Sequence, residues 1–225
     1  MRLTNSVLRN VRLVILGPPG SGKGTISQKL VSNFKLSYIS CGDVLRNKIA
    51  QGTDEGKVAA TYISRGDLVP NELVTKLMVD TINGDFKGNS WLMDGFPRTV
   101  LQAQSLLTCT TINKVINLNV PDDEIINRIK HRWIHLSSGR IYNLEYNPPK
   151  VPFKDDITGD DLIQREDDKP EAVKQRLDTY NASTLPVLEF FGKKGLLVEF
   201  TGRESNVLYP KIHSYLEDYL NLKSS

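Results

Sequence analysis

Directly after the apolar run Val11-Arg12-Leu13-Val14-Ile15-Leu16, the chain reads Gly17-Pro18-Pro19-Gly20-Ser21-Gly22-Lys23-Gly24-Thr25. Four glycines within eight residues let a backbone double back with its N–H groups pointing inward. Lys23 adds a point charge, and a helical pattern follows whose N-terminus carries positive partial charge. Such a loop, set between a strand and a helix, cradles anionic oxygens and predicts a site for the phosphates of a nucleotide. The spacing fits the G-x-x-x-x-G-K core of a phosphate-binding loop, except that Gly24 stands where Ser or Thr usually follows the lysine. The hydroxyl is displaced to Thr25.

A strand feeding such a loop commits the chain to alternating strands and helices. Val11–Leu16, Ser37–Ser40, Ser90–Met93, Lys114–Val120 and Leu196–Phe200 read as five strands with room for helical crossovers between most of them. The expected fold is therefore α/β, a parallel five-stranded sheet with helices on both faces. Asp122–His131 begins after a proline with acids in its first turn and reads as a helix. Lys169–Phe191 reads as a long amphipathic helix with a break around Pro186, and Gly202–Tyr219 as a loop plus helix. Two stretches break the alternation. Asp43–Thr81 is mostly helical with no strand of its own, and Trp133–Asp168 is rich in Gly, Pro, Asp and Asn with short Tyr/Ile/Val pieces, which predicts a small β-rich flap.

Composition narrows the function classes. At 225 residues, 39% hydrophobic and 24% charged, the chain suits a single globular core with insertions. A net charge of +3 without a Lys/Arg cluster interleaved with aromatics argues against a nucleic-acid partner. No apolar stretch reaches the roughly 18 to 20 residues of a membrane span, so no membrane partner is expected. Cys41 and Cys109 make no disulfide framework and point to a reducing compartment. Residues 1–42 contain no Asp or Glu while Arg2, Arg9 and Arg12 punctuate them, a loose match to a mitochondrial-type address; a plain N-terminus fits the same pattern.

A second landmark is Ser90-Trp91-Leu92-Met93-Asp94-Gly95-Phe96-Pro97-Arg98-Thr99. An acid at the carboxyl end of a strand in this class of sheet is placed to hold a Mg²⁺ shell through water, and Asp94 is the candidate; a local turn acid is the alternative. Arg98 follows four residues on, where a guanidinium can meet a second phosphate group.

The loop, the segment Ser40-Cys41-Gly42-Asp43-Val44-Leu45-Arg46 and Asp94-Gly95-Phe96-Pro97-Arg98-Thr99 together resemble the adenylate kinase family of nucleoside monophosphate kinases, in the family's order. Arg132-Trp133-Ile134-His135, Ser138-Gly139-Arg140, Tyr146-Asn147-Pro148-Pro149-Lys150 and Gln164-Arg165-Glu166-Asp167-Asp168-Lys169-Pro170-Glu171 extend the likeness and are most similar to the mitochondrial-matrix GTP:AMP branch. The resemblance implies reversible transfer of the terminal phosphoryl of a Mg-bound nucleoside triphosphate to AMP by a monomer in the matrix, or otherwise in the cytoplasm. It implies a core of residues 1–39, 70–131 and 169–225, a helical monophosphate-binding insertion at 40–69 and a lid at 132–168.

Residue by residue, the resemblance implies donor-nucleotide contacts from Gly20, Ser21, Gly22, Lys23, Gly24, Thr25, Arg128, Arg132, Ile141, Tyr142 and Glu204. It implies AMP contacts from Cys41, Arg46, Asp67, Leu68, Val69, Gly95, Phe96, Pro97, Arg98, Gln102, Arg165 and Arg176. Lys23, Arg98, Arg132, Arg165 and Arg176 would act on the transferring group, where an arginine is worth roughly 10³ to 10⁵ in rate. At i, i+4, Arg128 and Arg132 are expected on one helix face. Gln102 lies one turn beyond Arg98, and its amide matches the donor and acceptor on one edge of adenine. Cys41 replaces the usual Ser or Thr, leaving a weak contact or a packing role.

Many relatives hold the lid with four cysteines around zinc, but the corresponding residues here are His135, Ser138, Asp155 and Thr158. This is a hydrogen-bonding set, so no structural zinc is expected. Glu204 is the acceptor available to a guanine base, or else a surface acid, and ATP remains the alternative donor. A non-catalytic nucleotide sensor or a P-loop hydrolase would not need the arginine set.

Overall fold

The computed structural model describes residues 10–165 and 168–222. Five parallel strands form its centre: β1 (Arg12–Leu16), β2 (Ser37–Ser40), β3 (Trp91–Asp94), β4 (Lys114–Asn119) and β7 (Leu197–Thr201), in the order β2-β3-β1-β4-β7. The expected sheet is present, with bounds shifted by a residue or so; β3 runs on to include Asp94.

Alternation along β1 divides the core. Val14 and Leu16 face one apolar layer with Met78, Phe96, Leu106 and Phe191; Leu13 and Ile15 face the other with Ile26, Leu30, Ile129 and Leu216. Helices α4 (Asn71–Asn83), α5 (Val100–Cys109) and α8 (Leu185–Lys193) cover the first face, and α1 (Lys23–Phe34), α6 (Asp122–Lys130) and α9 (Ser205–Leu222) the second. Among the described residues no helix is long and apolar enough to cross a membrane.

Two segments project from this core. The hairpin α2 (Cys41–Ala50) and α3 (Asp54–Ile63) starts at Ser40 and Thr53, whose hydroxyls accept from the N–H groups of Asp43 and Gly56 at 3.2 and 3.0 Å. The helices pack so closely that a Cβ on Gly56 would overlap the Lys48 backbone. The second projection carries the antiparallel pair β5 (Arg132–Ile134) and β6 (Ile141–Asn143), extended by bridges Ile134–Ile163 and Lys154–Asp161.

Two sequence expectations change. Helix α6 stops at Lys130 rather than His131, so Arg132 opens β5 and does not share a helical face with Arg128. His131 leaves the helical region at φ −101° and ψ 10°, which turns the chain into the flap. The long helix does not break at Pro186: α7 (Pro170–Thr179) passes through a π-turn at Tyr180–Thr184 straight into α8. The proline ring would meet the carbonyl four residues back, and the widened turn takes up that clash. The N-terminal segment with Arg2 and Arg9, and Glu166 and Asp167 of the Gln164–Glu171 string, lie outside the described residues.

Candidate functional site

Parallel register brings the motifs to one edge. Ile15 and Ser40 both pair with Asp94, so β1, β2 and β3 end level and release the glycine loop, the Ser40–Arg46 segment and the Asp94–Arg98 segment side by side. Gly20 and Gly22 take φ of +80° and +87°, a left-handed backbone that glycine reaches freely. Gly22 precedes α1 without any side-chain cap, leaving the helix N-terminus to an outside acceptor. Lys23 folds back over the loop, donating to the carbonyls of Gly17 and Pro18 at 2.7 Å each. Burial pulls its ammonium down to about 8; Asp94 opposes that, and Arg98, Arg176 and Arg132 reinforce it.

The loop is one end of a cavity of about 880 Å³. Around the loop, α6, the flap and the start of α9 its wall holds Gly20, Gly22, Lys23, Gly24, Thr25, Arg128, Ile141, Tyr142, Tyr146, Glu204 and Ser205; around α2 and the loop after β3 it holds Cys41, Asp43, Arg46, Asp67, Leu68, Val69, Gly95, Arg98 and Gln102. Arg132, Arg165 and Arg176 line it as well. Arg132 meets Asp168 with both Nε, at 2.8 Å, and a terminal nitrogen, and Arg176 donates to the same carboxylate at 3.1 Å. Asp168 thus ties two of the arginines to one carboxylate. Elsewhere on the wall the Arg128 guanidinium lies over the Tyr146 ring, 5.5 Å from its centre, and is braced by Glu124 at 2.8 Å and by the Arg203 carbonyl.

Gly24 has a geometric reason. A Cβ there would lie 3.0 Å from Ile141 Cδ1, so the missing side chain is the seat of the flap on the loop. The flap itself is held by polar contacts. His135 meets Ser138 Oγ at 2.7 Å and Asp160 Oδ2 at 2.9 Å. Asp155 accepts from Arg140 at 2.8 and 2.6 Å, from Tyr142 Oη at 2.9 Å, and from the Thr158 amide and hydroxyl at 2.9 and 3.1 Å. Those donors, Arg140 first, hold the Asp155 carboxyl far below the usual range.

A family model described as adenylate kinase matches residues 15–196. This chain belongs to the adenylate kinase family. It is 46% identical over 210 residues to a Drosophila melanogaster protein named GTP:AMP phosphotransferase, mitochondrial, covering 93% of this chain and 97% of that one. A Saccharomyces cerevisiae protein of the same name is 42% identical over 215 residues, 92% of each chain.

Within this adenylate kinase site, some expected residues stand back from the wall. Ser21 is fully buried beneath the loop with its hydroxyl 3.4 Å from Lys23 Nζ, and Phe96 is core, joined to Pro97 by a cis bond. Tyr142 lines the cavity but spends its hydroxyl on Asp155. Of the flap set only Ser138 reaches the cavity; His135 and Asp155 are buried inside the flap, and Thr158 is on its exposed surface. Cys41 is buried among Leu45, Phe96 and Met93, and burial pushes its thiol up to about 11. Gln102 is 2% exposed, with Oε1 accepting from the Arg98 N–H at 2.7 Å and Nε2 donating to Asn71 at 2.9 Å. Asp67 lines the wall while its carboxylate accepts from Gln175 at 3.0 Å.

Sequence reasoning missed Asp168, Arg140, Tyr38 and Tyr146 as working parts. Tyr38 Oη donates to Asp94 Oδ2 at 3.0 Å, fixing one oxygen of that carboxylate. Among the described residues no three His, Cys, Asp or Glu side chains gather as a metal cage. A single carboxylate, Asp94, beside a phosphate loop suits a Mg²⁺ that arrives with most of its oxygen ligands from the nucleotide and water.

Proposed function

We propose that this chain transfers the terminal phosphoryl group of a Mg-bound nucleoside triphosphate, GTP or ITP ahead of ATP, to AMP, reversibly giving the diphosphates. One observation carries the reading: a single cavity is lined by a phosphate loop, by the α2 and Gly95–Arg98 surface, and by Lys23, Arg98, Arg132, Arg165 and Arg176 together.

In-line transfer needs two substrates aligned, charge neutralised and water excluded. The loop amides and Lys23 take the donor phosphates, and Asp94 holds the water shell of the metal that the donor brings. Arg46 and Arg98 take the AMP phosphate. An oxygen of that phosphate attacks the terminal phosphorus while the bond to the donor diphosphate breaks, and Arg132, Arg165 and Arg176 bear the spreading negative charge. Bound phosphate competes with Asp168 for Arg132 and Arg176, so these side chains are held in place before substrate comes. The flap excludes water, which separates transfer from hydrolysis. Its hydrogen-bonded interior serves in place of zinc. Gln102 lies where the acceptor base would end, with Asn71 as its partner.

Preference for GTP rests on the names of the two relatives, and a mitochondrial setting on the same names. Arg128 and Tyr146 offer flat faces to the donor base, and Glu204 an acceptor for its N–H groups. Because one chain supplies both halves of the cavity, a monomer suffices, without nucleic acid or membrane. Initial rates of AMP phosphorylation with GTP, ITP and ATP at equal concentration test the reading. GTP and ITP are expected to lead; a clear ATP lead overturns the donor assignment, and no ADP from any donor overturns the reaction.

A further inference from the structure

The π-turn at Tyr180–Thr184 is closed by the Leu185 N–H donating to the Tyr180 carbonyl five residues back. Its consequence is rotational. In an unbroken α-helix, at about 100° per residue, Thr184 would sit about 80° around the axis from Arg176. One residue taken up by the wider turn removes most of that difference. Arg176 and Thr184 accordingly both line the cavity, from opposite ends of the turn.

Thr184 is 4% exposed, and its hydroxyl donates to the Arg98 carbonyl at 3.1 Å. The Arg98 backbone is thus tied at both polar groups, its N–H to Gln102 and its carbonyl to Thr184, while Nε donates to the Gly95 carbonyl at 2.9 Å. A long side chain leaving a short loop loses less freedom on binding an anion when its backbone is already fixed.

We propose that Thr184 is a positioning residue for Arg98 and that the π-turn exists to present it. The turn brings the helix that carries Arg176 into register with the loop that carries Arg98. This rests on the reading of Arg98 as a ligand of the AMP phosphate. Without the hydroxyl, the Arg98 carbonyl loses its Thr184 hydrogen bond, the loop shifts, and the guanidinium meets AMP less often in the productive pose.

The test is steady-state kinetics of Thr184→Val, Thr184→Ala and Thr184→Ser, well below each melting temperature. The valine and alanine variants are expected to raise the KM for AMP about tenfold while the donor KM stays within about twofold. Serine, which keeps the donor hydroxyl, is expected to restore the wild-type value. In an Arg98→Ala background, Thr184→Val should add no further AMP penalty, since the residue through which it acts is gone. Equal effects on both substrates, an unchanged AMP KM, or the same penalty with and without Arg98 would each overturn the proposal. If instead the wild-type protein makes no ADP from AMP with any donor, it is the underlying reading that falls.

Discussion

Lys23 sits in a loop that strips its water and offers two carbonyls and the Ser21 hydroxyl in return, with Asp94 only partly offsetting the burial and the nearby arginines, and its pKa near 8 records that. Phosphate oxygens would supply the missing counter-charge and raise it again. Triphosphate binding above pH 8 should therefore draw a proton from solution, an uptake that grows from pH 8 to 9 and that Lys23→Arg abolishes. Calorimetry in two buffers of different ionisation enthalpy measures it, and equal apparent enthalpies in both at pH 8.5 would contradict it. The folding consequence has the same sign: between about 8 and 10.4 the unfolded chain binds more protons, so stability from this residue rises with pH. Cys41 makes a simpler case. Buried at 3% exposure with its thiol near 11, it should be alkylated far more slowly at pH 7.5 than half-buried Cys109. Mass spectrometry of the two peptides reads the rates; faster labelling of Cys41 would place it outside the core. At this scale the loop, Asp94 and the arginines were legible because their chemistry is local to a motif. Asp168 was not, because an acid becomes a clamp only when Arg132 and Arg176 arrive from β5 and α7.

At the scale of elements, α2 and α3 touch at Gly56, where a side chain would have to displace the Lys48 backbone. Gly56→Ala should therefore destabilise the hairpin by about 1 to 3 kcal/mol, against the small gain an alanine brings to an exposed helix. A urea melt checks the sign, and a more stable variant would show that the hairpin can open without cost. Strands were the easiest elements to read, since β-branched runs at a sheet centre have no polar alternation to confuse them. Helix ends were harder. Nothing in Ile129-Lys130-His131-Arg132 marks the stop, which comes from β5 pairing with β6 rather than from a local cap. Pro186 read as a break because a lone proline usually is one; the neighbouring core contacts of Val187, Leu188 and Phe191 hold the helix together instead.

For the whole molecule, stability of the flap should depend on acid rather than on metal. The Asp155 carboxyl is held low by Arg140, Tyr142 and Thr158, so its contribution is complete at neutral pH and lost as pH falls below the unfolded value of about 4. Hydrogen exchange over residues 132–163 should stay slow with a chelator at pH 7 and quicken on acidification or in Asp155→Asn. Protection that vanishes with the chelator would mean a metal holds the flap after all. The flap also faces α2 across the cavity: a side chain at Gly139 would reach ordinary contact with Asp43, its Cβ 3.7 Å from Oδ2. The flap thus faces the phosphate loop at Gly24 and α2 at Asp43. In engineering terms the two glycines are clearances: a side chain at either position would stand between the flap and the surface it faces.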